Sequence, residues 1–286
     1  MTRLTKCRQF WCCCFGSNKS KHPLCNGEQF ITLEVEYLQQ FDEIVVIGDI
    51  HGCYDEFNEL LEKVHSETPS KKPEKCLKIL VGDLVNKGPD SKKVLQLCKD
   101  KYYNSIVAVR GNHDERVLNC WKASKSKKEK LDERYKWCSK LPQRYMDYLD
   151  SLPYSISIPA LSCIIVHAGV DPSLDEAHKT TPLDTMITMR NIVVLKNPKT
   201  EETSYMCTKS GEEGAPWANF WPGPDHIYFG HDARRRLQND HEFATGLDTG
   251  CVYGGSLSYI YIKGPRKGEI NSIKAKKVYQ PPSKDD

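Results

Sequence analysis

No run in this 286-residue chain approaches the ~20 consecutive apolar residues that a bilayer-spanning helix needs. Nor does its charge have a dominant sign: 41 Lys and Arg stand against 38 Asp and Glu, for a formal net charge of +3. The first absence excludes a transmembrane helix inside the domain. The second removes the global field that marks nucleic-acid binders, so any preference for anions has to come from a local patch. There is no internal repeat. The thirteen cysteines make no even disulfide framework either: Cys76, Cys98 and Cys163 sit singly inside apolar runs. That usage fits reduced thiols in an intracellular, cytoplasmic protein.

Residues 1–40 are set apart as a Cys-rich, basic N-terminal tail. Cys12, Cys13 and Cys14 lie between aromatic residues and near Arg3, Lys6, Arg8, Lys19 and Lys21. The apolar piece is too short for a secretory signal, and Thr2 in place of Gly rules out N-myristoylation. Two readings stay open: S-acylation with attraction to anionic lipid, giving peripheral membrane contact, or a leader with no such role. Residues 41–278 read as one domain, and the Pro-rich stretch 279–286 as a flexible tail.

What the domain does contain is one pattern repeated five times, an apolar run of strand type that stops in a polar cluster. Ile44-Val45-Val46-Ile47 runs into Gly48-Asp49-Ile50-His51-Gly52, and Ile79-Leu80-Val81 into Gly82-Asp83. Ile106-Val107-Ala108-Val109 runs into Arg110-Gly111-Asn112-His113-Asp114, Cys163-Ile164-Ile165-Val166 into His167, and Ile227-Tyr228-Phe229 into Gly230-His231. Phe57, Leu60, Leu61 and Val64 recur at helical spacing between the first two runs, and Val94, Leu97 and Cys98 do so after the second. These are βαβ units of an α/β fold, whose ligand sites lie outside the carboxyl ends of the strands. Residues 115–152 read as a helical insertion, with Tyr145, Tyr148, Leu149 and Leu152 on one face. Its basic stretch Lys122 to Lys130 reads as solvated surface.

Together Asp49, His51, Asp83, Asn112, His167 and His231 supply carboxylate, imidazole and amide ligands for two metal ions. Asp83 can bridge them, with Asp49 and His51 completing one site and Asn112, His167 and His231 the other. Mixed nitrogen and oxygen donors suit divalent transition metals, manganese first, with zinc or iron as alternatives.

These pieces, in this order, resemble the calcineurin-like metallophosphoesterases. The segments Gly82 to Pro89 (GDLVNKGP), Gly230 to Arg234 (GHDAR) and Leu247 to Gly255 (LDTGCVYGG) look most like the eukaryotic ApaH-like phosphatases, themselves similar to bacterial diadenosine tetraphosphatase. The resemblance implies two packed mixed β-sheets flanked by helices. It also implies a dinuclear centre that activates water for attack on phosphorus with no covalent phosphoenzyme.

Next to Asn112, His113 is the candidate general acid for the leaving oxygen, a role the resemblance implies as well. Arg110 and Arg190 are candidates to hold phosphate oxygens, since guanidinium forks match that geometry. Arg190 reads alternatively as a surface ion pair. Of Arg234, Arg235 and Arg236, which follow the last metal histidine, Arg234 is carried as a substrate-channel candidate. The protein Ser/Thr phosphatase branch of the family usually reads Asp-Arg where this chain has Asn86-Lys87, and Glu where it has Asp114. Asn86 can orient the His113 imidazole but cannot stabilise its cation as a carboxylate would, unless Asp114 takes that part. A weakened acid tolerates good leaving groups, so the sequence tilts toward phosphoanhydrides, and Lys87 offers a point charge to a phosphate chain. Expected substrates are nucleoside polyphosphates, including dinucleoside tetraphosphates or capped RNA ends, or inorganic polyphosphate. Protein phosphoserine and phosphothreonine, or a non-catalytic scaffold, are the competing readings. Trp217 and Trp221 could stack a nucleobase or close the core, with core packing favoured, and His22, His65, His178, His226 and His241 read as surface or locally bonded residues.

Overall fold

The run Ile44 to Ile47 is apolar at every position because both faces of its strand are covered. In the computed structural model, which describes residues 27–102, 104–126 and 132–282, the strand Glu43–Ile47 is buried throughout. Ile44 and Val46 pack with Ile79, Val107 and Ile165, while Val45 and Ile47 pack with Phe57, Leu60, Leu61 and Val64 of the helix Tyr54–Glu67. Two-residue alternation therefore sends one set of side chains between two sheets and the other under the helices. The cysteine cluster Cys12 to Cys14, His22 and residues 127–131 of the basic stretch lie outside the described residues.

The first sheet runs in the order Ile270–Lys274, Ser256–Lys263, Glu43–Ile47, Cys76–Leu80, Ile106–Ala108. Its last three strands are parallel, and Ser256–Lys263 is antiparallel to both its neighbours. The second sheet runs Phe30–Thr32, Ser155–Ile158, Cys163–Val166, His226–Phe229, Ala244–Gly246, again with mixed pairing. Ile156, Ile158 and Ile165 meet the first sheet across a shared core. The outer face of the second sheet, with Ile164, Val166 and Ile227, is closed by Met186, Met189 and Trp217. These are the two packed mixed sheets that the resemblance implied.

Sequence patterning did not show a third, three-stranded sheet centred on Asn191–Lys196. Toward its outer end both faces are uncovered, leaving Val194, Leu195, Tyr205 and Met206 exposed. The insertion comprises the helix Asn112–Ser126, the 3-10 segment Glu133–Lys140 and the helix Gln143–Asp150. Tyr145, Tyr148 and Leu149 are buried, as their spacing predicts. At the C-terminal end, packing runs past the expected boundary at 278. Tyr279 N donates to Val252 O at 3.0 Å, and its hydroxyl donates to Glu56 Oε1 at 2.9 Å. No helix among the described residues is long and apolar enough to cross a membrane.

Candidate metal centre

Each sheet sends the carboxyl ends of three parallel strands to one place, and the turns there are conformationally demanding. His51, Asp83 and His231 have φ of 46°, 50° and 71°, in the left-handed region that residues other than glycine seldom occupy. Such strain persists only where surrounding bonds fix it. Here His51 N donates to Asp83 O at 2.7 Å and Gly230 N to His167 O at 2.8 Å, so the turns of the cluster brace one another. Two glycines leave room for the acids. A Cβ on Gly111 would stand 2.1 Å from Asp83 Oδ1, and one on Gly230 would stand 1.9 Å from Asp49 Oδ1.

The six expected ligands converge. His51 Nε2 lies 3.4 Å from Asp83 Oδ2, and His167 Nε2 lies 3.6 Å from Asp83 Oδ1. Asn112 Oδ1 is 2.9 Å from His167 Nε2 and 3.2 Å from His231 Nδ1. Donor atoms of Asp49, Asp83 and His167 fall within 4.8 Å of one another, and so do those of His51, Asp83 and His113. Asp83 is common to both groups, the position a bridging carboxylate needs. The far ring nitrogens are committed to backbone: His167 Nδ1 lies 2.8 Å from Val81 O, and His231 Nε2 lies 3.2 Å from Thr188 O. A proton on each of those atoms leaves the other nitrogen, facing the cluster, free to ligate.

The electrostatics ask for positive charge. Burial, then the Asp248 and Asp83 carboxylates, raise the Asp49 acid well above its ordinary range. Burial likewise pushes Asp248 up to about 6. The imidazoles cannot supply the missing charge, because burial drives His51 and His231 well below their usual range and His167 down to about 4. Acids crowded with neutral imidazoles in a buried site are an unfavourable assembly until cations join them. The residues therefore fit a pair of divalent ions in both donor chemistry and charge.

Around this floor is a cavity of about 210 Å³, lined among others by Lys87, His113, Arg190, Asp248 and Tyr253. His113 N donates to Asp83 Oδ1 at 2.8 Å, and its ring stands edge-on to His51 with centroids 4.9 Å apart. Asn86 Nδ2 lies 2.8 Å from His113 Nδ1. With the amide nitrogen turned to it, Nδ1 accepts and the ring is neutral; with the amide oxygen turned to it, Nδ1–H donates, as the imidazolium requires. Lys87 Nζ bonds the Tyr253 hydroxyl and sits 5.0 Å from the centre of its ring.

Three expected site residues are placed elsewhere. Arg110 is buried away from the cavity, donating to Glu115 Oε2 at 2.7 Å and Asp150 O at 2.6 Å over the Tyr154 ring. It ties the insertion to the domain and does not line the cavity. Asp114 accepts from the Leu84, Val85 and Gly111 amides at 2.9, 3.2 and 3.0 Å, so its carboxylate fastens two turns together and is not bonded to His113. Burial and the neighbouring Asp83 raise this acid to about 8, against those three amide donors. Arg234 pairs with Glu212 at 2.8 Å and is not among the cavity-lining residues.

Sequence reasoning missed Asp248, Tyr253, Thr188 and Lys209 as cavity residues. Asp248 ends a sixth strand, Ala244–Gly246, whose Ala-Thr-Gly composition carries no apolar run. Its neighbours in Leu247 to Gly255 were the available signal. Trp217 is core, as expected: it is 2% exposed and meets Phe229 edge-on at 5.0 Å.

The profile of the calcineurin-like phosphoesterases matches residues 43–235. An asymmetrical bis(5′-nucleosyl)-tetraphosphatase of Halalkalibacterium halodurans is 29% identical over 241 residues, covering 77% of this chain and 88% of the relative. Serine/threonine-protein phosphatase 1 of Salmonella typhimurium is 27% identical, covering 76% and 91%. A solved structure provisionally named a diadenosine tetraphosphatase superposes with a TM-score of 0.69 at 34% identity, covering 87% of this chain and 98% of its own.

Proposed function

The chain belongs to the calcineurin-like phosphoesterase family, and on that premise we propose that it hydrolyses phosphoanhydride bonds of nucleoside polyphosphates, dinucleoside tetraphosphates foremost. The observation that carries this reading is the partner of His113. Asn86 supplies an amide at 2.8 Å where a carboxylate would stabilise the imidazolium. An acid without that support suits a leaving group that needs little protonation, as a phosphate leaving an anhydride does. Relatives named bis(5′-nucleosyl)-tetraphosphatases point the same way. Capped RNA ends and inorganic polyphosphate share the bond type and belong to the same proposal.

The metal ligands in this reading are Asp49, His51 and Asp83 for one cation, and Asp83, Asn112, His167 and His231 for the other. Bound there, two divalent ions, manganese first with zinc or iron as alternatives, would lower the pKa of a water and offset charge on the equatorial phosphoryl oxygens. As the imidazolium, His113 delivers its Nε2 proton to the leaving oxygen and is left neutral, and the Asn86 amide beside Nδ1 orients the ring without a countercharge. Arg190 and Lys87, both lining the cavity, hold phosphate oxygens. Asp49 and Asp83 keep their fixed orientation through the amides of His231 and His113, at 3.2 and 2.8 Å.

A second reading, hydrolysis of phosphoserine or phosphothreonine in proteins, is favoured by the Salmonella relative. Release of phosphate and nucleotide from diadenosine tetraphosphate, long-chain polyphosphate, capped RNA and a phosphopeptide, each with manganese, zinc or magnesium, separates the two. Metal-dependent cleavage of anhydrides well above that of the phosphopeptide is the expected result, and equal rates on both would revive the protein phosphatase. Peripheral membrane attachment by S-acylation of Cys12, Cys13 and Cys14 is a separate proposal. Fractionation of cells carrying serine at all three positions checks it, and an unchanged membrane fraction removes it.

A further inference from the structure

The 210 Å³ cavity is smaller than the ~300 Å³ at which pockets enclosing a whole organic ligand begin, so it holds part of a nucleotide and not all of it. The rest of any nucleotide substrate has to lie outside it. Lys87, Asn112 and His113 line this cavity and also a groove of about 1120 Å³, so the two are continuous across His113. The groove runs between the turn carrying Lys87 and the insertion. Lys92, Arg116, Arg134 and Lys140 line it, with Asp90 the single acid among its lining residues. Two aromatic residues interleave with these cations. Tyr135 lies 5.5 Å beneath the Arg116 guanidinium, and Trp137 is half-buried, packed on one side against the core.

We propose that this groove is the leaving-group subsite, holding the departing nucleoside phosphate with its phosphates against Arg116 and Lys140 and its base against Trp137. The proposal rests on the anhydride reading above and adds to it a direction. In an in-line displacement the leaving oxygen lies opposite the attacking water, and the acid that protonates it stands on the leaving side. His113 holds that place, at the boundary where cavity becomes groove. The hydroxyl of water goes to the attacked phosphorus and the bridging P–O bond breaks with its electron pair. His113, entering as the imidazolium, gives one proton to the departing oxygen and is left neutral; the other proton of the attacking water passes to solvent, from which the ring is recharged. The chemistry of the walls matches what departs: cations for a phosphate chain, and an aromatic face on which a nucleobase can stack.

The test uses the full chain loaded with its preferred metal. It compares kcat and KM on diadenosine tetraphosphate and p-nitrophenyl phosphate, and the inhibition constants of ADP and pyrophosphate against p-nitrophenyl phosphate hydrolysis. Arg116→Ala combined with Lys140→Ala is expected to raise KM for the dinucleotide about tenfold and to weaken ADP and pyrophosphate alike. The ratio of kcat/KM for dinucleotide against p-nitrophenyl phosphate then falls about tenfold. Trp137→Leu is expected to weaken ADP and leave pyrophosphate in place. Turnover of p-nitrophenyl phosphate reports whether each variant is folded. Inhibition constants and substrate ratios that do not move in the double variant overturn the groove, and equal weakening of ADP and pyrophosphate by Trp137→Leu overturns the base contact. A wild-type chain that turns over p-nitrophenyl phosphate but no dinucleotide defeats the anhydride reading instead. The inhibition constants then still decide the groove.

Discussion

The floor of the site and its open flank are made of opposite materials. The floor comes from strand ends: Asp49, His51, Asp83 and His167 are at most 4% exposed, and the turns under His51, Asp83 and His231 hold a strained backbone. The flank comes from an insertion whose cations are exposed side chains, Arg116 on the helix Asn112–Ser126 and Lys140 at the end of the 3-10 segment Glu133–Lys140. Positions that must agree to a fraction of an ångström are set by the sheet, and positions that choose a substrate are set by an element the sheet does not need. Substitutions in the floor should therefore cost orders of magnitude in rate, and those in the flank should move selectivity.

The largest expected effect is in the floor. Asp83→Asn removes the carboxylate that approaches both His51 and His167, and kcat/KM on any phosphate substrate should fall at least ~10³-fold, roughly 4 kcal/mol. Stability should move the other way in protein stripped of metal, because one of the buried acids that raise one another is gone. Thermal unfolding with and without manganese checks both halves. The expected pattern is a raised Tm for the metal-free variant and loss of the metal-induced rise seen in the wild type. A variant that keeps its rate would remove Asp83 from the centre.

Arg110 tests where floor ends and scaffold begins. Arg110→Ala leaves Glu115 with only the Asn119 amide and the Tyr154 hydroxyl and takes the Arg110 donor from Asp150 O, which should cost about 3 kcal/mol of stability. Rates measured well below Tm should be close to wild type. A fall in kcat/KM with an unchanged Tm would return Arg110 to the phosphate.

That residue also marks the limit of what the sequence disclosed. The convergence of Asp49, His51, Asp83, Asn112, His167 and His231 was legible because each follows an apolar strand, and the carboxyl ends of parallel strands share one side of a sheet. Arg110 stands two residues before Asn112, and nothing in the pattern says that the chain turns into a helix between them, aiming the two side chains apart. Asp114 is turned from His113 for the same reason: in the first turn of that helix its carboxylate reaches back to the Gly111 amide and across to those of Leu84 and Val85. Asp248 was hidden by a strand with almost no apolar signature. The groove was hidden because it depends on how the insertion lies against the turn carrying Lys87, a contact between segments far apart in sequence.

Gly230→Ala probes the floor without replacing any of the six residues. The new Cβ would fall 1.9 Å from Asp49 Oδ1, so the carboxylate or the turn under His231 has to shift. Displacement of about 1 Å at a reacting centre costs ~10²-fold in rate. The variant should show that loss in kcat/KM together with weaker metal binding by titration. Wild-type affinity would mean that the floor yields more readily than its bracing suggests.

The smallest expected effect sits on the line between the two regions. Asn86→Asp places a carboxylate 2.8 Å from His113 Nδ1, where it would accept a proton from that nitrogen and stabilise the imidazolium. The alkaline limb of the kcat/KM profile should then move up by about one pH unit. The gain should depend on the leaving group. Phosphoserine peptide, whose alkoxide needs protonation, should improve about tenfold relative to p-nitrophenyl phosphate, whose phenolate does not. A rise on both substrates alike would place the effect on the floor, through charge added near the metals. No change on either would take His113 out of the role of acid, and with it the argument that an amide at position 86 turns this site toward anhydrides.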